Sequence, residues 1–287
     1  MRKSFFITMV TFSFCVVANE TQYGTDFQAQ KAFFQEHGYL WIKNFFSAEQ
    51  IHLLQHWVDQ INHEAELTLE LPQDTKTALP GALITVPEAA NPQQVCRAED
   101  LCTVYPELYH FVRGNITAYI SYLLDEPYVL FKDKINFKWP GGGAFPPHQD
   151  FPAYENFGPR EHVTAMVCID PATLENGCLQ IDGNWRGGSS VLPYITGGKN
   201  HGSIDPAHRK EIQWIPLETS PRDLVLFTSY LPHYSEVNNS QKPRRAFLFT
   251  HNRQSEGDHR TAYYYMKRTD PQNPVFHFAT PTKARDK

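Results

Sequence analysis

Residues 137–151 read Phe137-Lys138-Trp139-Pro140-Gly141-Gly142-Gly143-Ala144-Phe145-Pro146-Pro147-His148-Gln149-Asp150-Phe151. A β-prone run stops at the Pro-Gly-Gly-Gly turn and a second extended run starts at Phe145. Side chains alternate faces in an extended run, so His148 and Asp150 share one face and Gln149 takes the other. Short β-prone runs recur around this stretch, at 128–139, 163–169, 177–181, 190–195, 211–215, 223–229 and 244–251. Turn-forming clusters such as Asp182-Gly-Asn184 and Gly197-Gly198 separate them. So many short strands predict a mainly β fold, a sandwich or jelly-roll barrel.

Helices flank this core. Residues 26–38 have apolar side chains at helical spacing and end on Gly38, a helix stop. Residues 39–46 read as a strand. Ser47 and Gln50 then form a capping box, and the helix behind it, through about Asn62, carries Ile51, Leu54, Trp57, Val58 and Ile61 on one face. Residues 71–96 are Pro-rich and read as an irregular loop or lid, and residues 107–124 as a further helix. No repeat or linker divides residues 19–287, which form a single domain. Residues 1–18, with Arg2 and Lys3 before an apolar run ending at Ala18, read as a signal peptide or N-terminal extension. That run is too short and too rich in Ser and Thr for an integral membrane anchor. Cleavage after Ala18 would remove Cys15 and leave Cys96, Cys102, Cys168 and Cys178, an even number that permits disulfides without requiring them.

The chain has 287 residues, with 26 Lys+Arg against 31 Asp+Glu and a net charge of −5, and no long basic run. That balance excludes electrostatic binding of nucleic acid. A hydrophobic share of 41% excludes wholesale disorder. An imidazole and a carboxylate from one strand make two legs of a metal site, and His233, in Leu231-Pro-His233-Tyr-Ser235 after an apolar strand, is the candidate third. Two His and one carboxylate form the facial triad of non-heme Fe(II) oxygenases, which leaves positions open on the ion. Arg244, eleven residues beyond His233, opens a strand that a hairpin would bring beside it. A guanidinium there holds a dicarboxylate bidentately. Ser235 shares the face of His233, and Arg245 is the alternative cation, since alternation alone leaves open which arginine points inward.

His148-x-Asp150, His233, Ser235 and Arg244 at this spacing resemble the phytanoyl-CoA dioxygenase family of Fe(II)/2-oxoglutarate oxygenases. Phe33-Phe-Gln-Glu-His-Gly-Tyr39-Leu, the strand with Lys138 leading to the metal motif, and Asp170-x-Ala-Thr-Leu-Glu-Asn-Gly177-Cys-Leu resemble further family segments. The resemblance implies a double-stranded β-helix, a cupin-like jelly roll. It implies Fe(II) on His148, Asp150 and His233, and 2-oxoglutarate on Arg244 with Ser235 and a further contact from Lys138. It also implies O₂ as second cosubstrate, and hydroxylation of a small organic molecule (amino-acid-like, phosphonate or secondary metabolite) as 2-oxoglutarate becomes succinate and CO₂. Related halogenases replace the carboxylate by a small residue, so Asp150 favours hydroxylation. Cosubstrate supply favours the cytoplasm; the alternative is a secreted or periplasmic protein. Arg160, Trp185 and Arg186 are candidates for a cationic pocket rim. Where the family continues with "PGSH", this chain reads Gln180-Ile-Asp-Gly-Asn-Trp-Arg186, an unusual loop over the site. Two rival readings stand beside this one. The first is a catalytically silent jelly-roll binding protein. The second is a zinc-dependent hydrolase, which has no need of an anion anchor such as Arg244 and Ser235.

Overall fold

The computed structural model describes residues 26–70, 82–89 and 91–281; the leader-like segment 1–18 with Cys15, and the Pro-rich stretch 71–81, lie outside these residues. Helix α1 (Phe27–His37) is capped by the Asp26 carboxylate, which accepts from the Gln28 and Ala29 N–H groups, and it stops at Gly38 with φ 71°. Only a residue without Cβ takes that left-handed turn at no steric cost. Strand β1 (Tyr39–Ile42) follows and is shorter than its apolar run. The Ser47 capping box forms in both directions: the Ser47 N–H donates to Gln50 Oε1 at 2.9 Å and the Gln50 N–H to Ser47 Oγ at 3.2 Å. Helix α2 (Ala48–Glu70) runs past Asn62, because Ala65 and Thr68 continue its buried face. Within the stretch 71–96, read from sequence as loop or lid, lies strand β2 (Ile84–Pro87), and strand β3 (Val95–Glu99) starts at its end. A second helical stretch, Pro106–Phe111 and Ala118–Leu123, is joined by a π-helical turn.

The core strands are β4 (Tyr128–Lys138), β5 (Phe145–His148), β6 (His162–Cys168), β7 (Leu179–Asp182), β8 (Trp214–Leu217), β9 (Leu224–Thr228), β10 (His233–Ser235) and β11 (Arg244–Arg253). They form two antiparallel sheets, ordered β1-β9-β6-β11-β4-β3-β2 and β5-β10-β7-β8. Among the eight core strands the first pairs with the last, the second with the seventh, the third with the sixth and the fourth with the fifth. That nesting makes the fold a jelly roll. The run at 190–195 is not a strand; it makes one isolated bridge, Tyr194 to Ile204, since Pro193 has no N–H to give a ladder.

The larger sheet has two apolar faces. Leu54, Ile61, Ile135, Phe247 and Phe249 fill the layer against the helices. Met166, Ile181, Val225, Phe227 and Ala246 fill the space between the sheets. Cys96, Cys102, Cys168 and Cys178 are buried free thiols. No helix among the described residues is long and apolar enough to cross a membrane.

The turn before β7 is tied to the end of β10. At Gly177, with φ +72°, a Cβ would collide with the Glu236 carbonyl and lie 3.1 Å from Lys138 Nζ. Gly177→Ala is therefore expected to cost about 2 kcal/mol or more in a urea unfolding experiment.

Candidate active site

Strand β5 ends at His148, and Asp150 already has helical dihedrals (φ −75°, ψ −29°) at the start of the short helix Phe151–Tyr154. The strand alternation expected for the pair thus fails at Asp150. The turn of chain after His148 brings the carboxylate back instead, with Asp150 Oδ1 at 3.6 Å from His148 Nε2. His233 opens β10 directly opposite His148 in the ladder, with ring centroids 4.2 Å apart. Donor atoms of the three lie within 4.8 Å of one another, close enough for a single ion to touch all three.

The backbone sets the tautomers. His148 Nδ1 meets the Pro146 carbonyl at 2.7 Å and His233 Nδ1 meets that of Leu231 at 2.9 Å. A carbonyl only accepts, so both Nδ1 atoms carry the proton and both Nε2 lone pairs are left to a metal. Burial, with His148 beside it, lowers His233 to about 4, which keeps its ring neutral near pH 7. Burial alone would raise the Asp150 carboxyl. The neighbouring His148, His233 and Lys134 side chains outweigh it and hold the group well below the usual carboxylate range. A carboxylate and two imidazole nitrogens suit a divalent cation of borderline hardness.

Arg244 does not reach this place through a hairpin with β10. Its strand belongs to the other sheet, and the intervening segment crosses between the sheets. It lies opposite Lys138 on β4, and Lys138 Nζ donates to Ser235 Oγ at 2.8 Å and to the Glu236 carbonyl, so the three expected anchor residues meet. Arg244 is 5% exposed and its Nε is buried without a partner. Burial first, and the Arg244 charge next, push Lys138 well below its ordinary value. Like charges facing across a ladder are unfavourable, so the pair is a seat prepared for an anion. Arg245 points the other way and is saturated: Nε and Nη2 donate to the two oxygens of Asp170 at 2.8 and 2.9 Å, and Nη1 donates to Asp59 on α2.

A cavity of about 40 Å³ adjoins the triad. His148, Asp150, Arg97, Lys132, Lys134 and Tyr154 form much of its wall, with Tyr263 and Phe276 from the C-terminal segment. Reading the sequence missed these cations. Their signal was the alternation Lys132-x-Lys134-x-Asn136-x-Lys138, which places polar side chains on one face of β4. The expected rim residues lie elsewhere: Arg186 is exposed and reaches its neighbours Gly183 and Trp185, and Arg160 is also exposed. Nor does His251 join the site, since it bonds Thr117 of the π-helical turn. His162 packs among Phe131, Phe151 and Tyr154, and burial lowers it to about 3.

A jelly roll with two histidines and a carboxylate on its inner edge, beside a buried cation lacking a counterion, is the framework of a non-heme iron oxygenase. Comparison with known proteins is more specific. The profile of the phytanoyl-CoA dioxygenase (PhyH) family matches residues 34–246. The 2-aminoethylphosphonate dioxygenase of uncultured bacterium HF130_AEPn_1 is 34% identical over 84% of this chain and 87% of its own length. Methylphosphonate hydroxylase of Gimesia maris is 34% identical over 80% and 82%. The crystal structure of EctD from S. alaskensis with 2-oxoglutarate and 5-hydroxyectoine superposes with a TM-score of 0.65 at 19% identity, over 84% of this chain and 81% of EctD. The chain belongs to the phytanoyl-CoA dioxygenase family, and it is an enzyme of the dioxygenase class.

The two adjacent arginines are expected to separate in stability measurements. Arg245→Ala breaks charge-assisted bonds to Asp170 and should lower the unfolding free energy by about 1–3 kcal/mol. Arg244→Met removes a buried, unpaired charge and should leave it unchanged or raised. Urea titrations of both variants read the contrast directly.

Proposed function

We propose that the protein hydroxylates a short organophosphonate on the carbon bonded to phosphorus. It does so as an Fe(II)- and 2-oxoglutarate-dependent dioxygenase acting on a small molecule. The observation that carries this reading is the pairing of a three-donor cluster with a buried, unpaired Arg244–Lys138 seat. A zinc hydrolase would have no use for that seat.

The side chains present fit the metal. His148 and His233 would offer Nε2 and Asp150 an oxygen, in the orientation their backbone contacts fix. Bound there, Fe(II) supplies the activation of O₂ that is coupled to decarboxylation of 2-oxoglutarate. Arg244 would hold the distal carboxylate of 2-oxoglutarate through parallel N–H donors. Ser235, already accepting from Lys138, would orient that ammonium toward the same group. Such a clamp fixes the cosubstrate before chemistry starts and spends no binding on disorder afterwards. The overall step balances as R–CH₂–PO₃ + O₂ + 2-oxoglutarate giving R–CH(OH)–PO₃ + succinate + CO₂. One atom of O₂ enters the product and the other enters succinate.

The substrate class rests on the named relatives and on space. Methylphosphonate has a single carbon, so its hydroxylation falls on the carbon bonded to phosphorus. A cavity of about 40 Å³ holds about three water-sized spheres, room for a small headgroup and far too little for an acyl-CoA. A cytoplasmic location, where Fe(II) and 2-oxoglutarate are supplied, fits this reading.

The test is incubation with Fe(II), 2-oxoglutarate, O₂ and either 2-aminoethylphosphonate or methylphosphonate, following the product by ³¹P NMR and succinate by chromatography. The expected result is a hydroxylated phosphonate and succinate in equal amounts. His148→Ala should reduce both by more than about a hundredfold. Arg244→Met should abolish the visible charge-transfer band of the anaerobic Fe(II)–2-oxoglutarate complex at wild-type 2-oxoglutarate concentrations. Succinate formation that no phosphonate stimulates would sink the substrate class and leave the cofactor chemistry standing.

A further inference from the structure

The inner face of β4 carries more positive charge than the cosubstrate needs. Lys132 and Lys134 make no hydrogen bond or ion pair with any described residue, yet Lys132 is only 8% exposed and both line the cavity beside Asp150. Electron-rich rings cradle Lys132 without neutralising it: its Nζ lies 5.4 Å from the Tyr154 ring centre and 5.3 Å from that of Tyr263. Arg97, opposite Asn136 in the β3–β4 ladder, adds a third cation to the same wall. Behind it, Glu99 binds Arg97 at 2.6 Å and Lys267 at 2.7 Å.

The charges around the cavity do not cancel. Arg97, Lys132, Lys134 and Lys267 face two carboxylates, Glu99 and Asp150. A metal on the triad would take up the charge of Asp150. Three of the four cations then remain without a carboxylate in a site largely closed to water, a costly arrangement unless an anion offsets it.

We propose that Lys132, Lys134 and Arg97 form the subsite for the substrate's tetrahedral dianion, holding the phosphonate so that its carbon faces the metal position. This inference rests on the phosphonate reading above and names the residues and the charge that select it. Three ammonium or guanidinium donors on one wall match three phosphonate oxygens, and Tyr154 and Tyr263 line the same cavity. A carboxylate or sulfonate, with one charge, leaves one more cation unpaired than a dianion does. Selection is therefore by charge as much as by shape.

The experiment is anaerobic calorimetric titration of the Fe(II)–2-oxoglutarate holoenzyme, where no turnover occurs, with methylphosphonate, methanesulfonate and inorganic phosphate. Wild type is expected to bind methylphosphonate at least about tenfold more tightly than methanesulfonate. Lys132→Met and Lys134→Met are each expected to lose about tenfold or more of that affinity. The charge-transfer band that reports 2-oxoglutarate should not move. Both variants remove unpaired buried charges, so without anion they should melt no lower than wild type, and added phosphate should raise the wild-type melting temperature more than theirs. If both variants fold and bind methylphosphonate like wild type, the subsite is overturned while the substrate class survives. Equal binding of methanesulfonate overturns selection by charge. Loss of the 2-oxoglutarate band in the lysine variants overturns the assignment by placing these residues at the cosubstrate. A wild-type holoenzyme that binds neither methylphosphonate nor inorganic phosphate overturns the subsite and the phosphonate reading together.

Discussion

The register of β11 against β4 decides what this protein can bind. Their ladder spans Arg244 to Arg253 on one strand and Lys138 to Tyr128 on the other. Because side chains alternate, one residue of slip would turn every inward side chain out. Arg244 would then join Asp59 and Asp170 at the surface, and Arg245 would enter the barrel. Phe247 and Phe249 oppose that slip, since both are fully buried in the helix-side core, while Ala246 leaves room between the sheets. A shift in the ladder at Thr250/His251 ends the regular stretch. The packing of two phenylalanines thus fixes the direction of a guanidinium several residues away.

The same strand explains why the barrel tolerates so much buried positive charge. Cations at Lys132, Lys134, Lys138 and Arg244 cost folding free energy while no anion is present. Charge networks that are satisfied offset part of this cost. Asp133, on the opposite face of β4 from the lysines, accepts from Arg260, and Asp100 accepts from Arg260 and Arg268. Glu99 is held well below the usual carboxylate range against the effect of its own burial, by Lys267, Arg97 and Lys132. The apo protein is therefore poised to gain stability from each anion it takes up, in the manner of any ligand that binds only the folded state.

Much of this was legible in the chain, for reasons that differ by element. The capping box and the Gly38 stop are local signals found where their residues predict, and the short β runs of the core form strands except at 190–195. His148, Asp150, His233, Ser235 and Arg244 were readable as a set from their chemistry and spacing, and Lys138 only through the family resemblance. What sequence could not fix was set by tertiary contact. Asp150 meets His148 through a turn that ends β5, not through strand alternation. Arg244 approaches from the opposing sheet, not from a hairpin. Strands β2 and β3 lie in a Pro-rich stretch whose local signals favour loop, and pairing with β4 overrides them. Missing β3 also hid Arg97. The lysines of β4 were visible as an alternation, but alternation alone does not tell an inner face from an outer one.

The division of labour along the chain follows from these placements. The family profile ends at residue 246, just past Arg244, so the three-donor cluster and the cosubstrate seat fall inside the shared span. The cavity wall is shared: Arg97, Lys132, Lys134, Asp150 and Tyr154 lie inside the span, whereas Tyr263, Val275, Phe276, Phe278 and Ala279 come from chain beyond it. Residues 260–269 form a helix whose Tyr263 packs on Phe131 of β4 at 5.1 Å between ring centres and on Phe276 at 5.6 Å. A segment anchored this way can change size and polarity without disturbing the register that sets Arg244 against Lys138, because it touches β4 from outside the β4–β11 ladder. The three-donor cluster and the basic face of β4 thus both lie in the shared span, and the C-terminal segment closes the cavity over them.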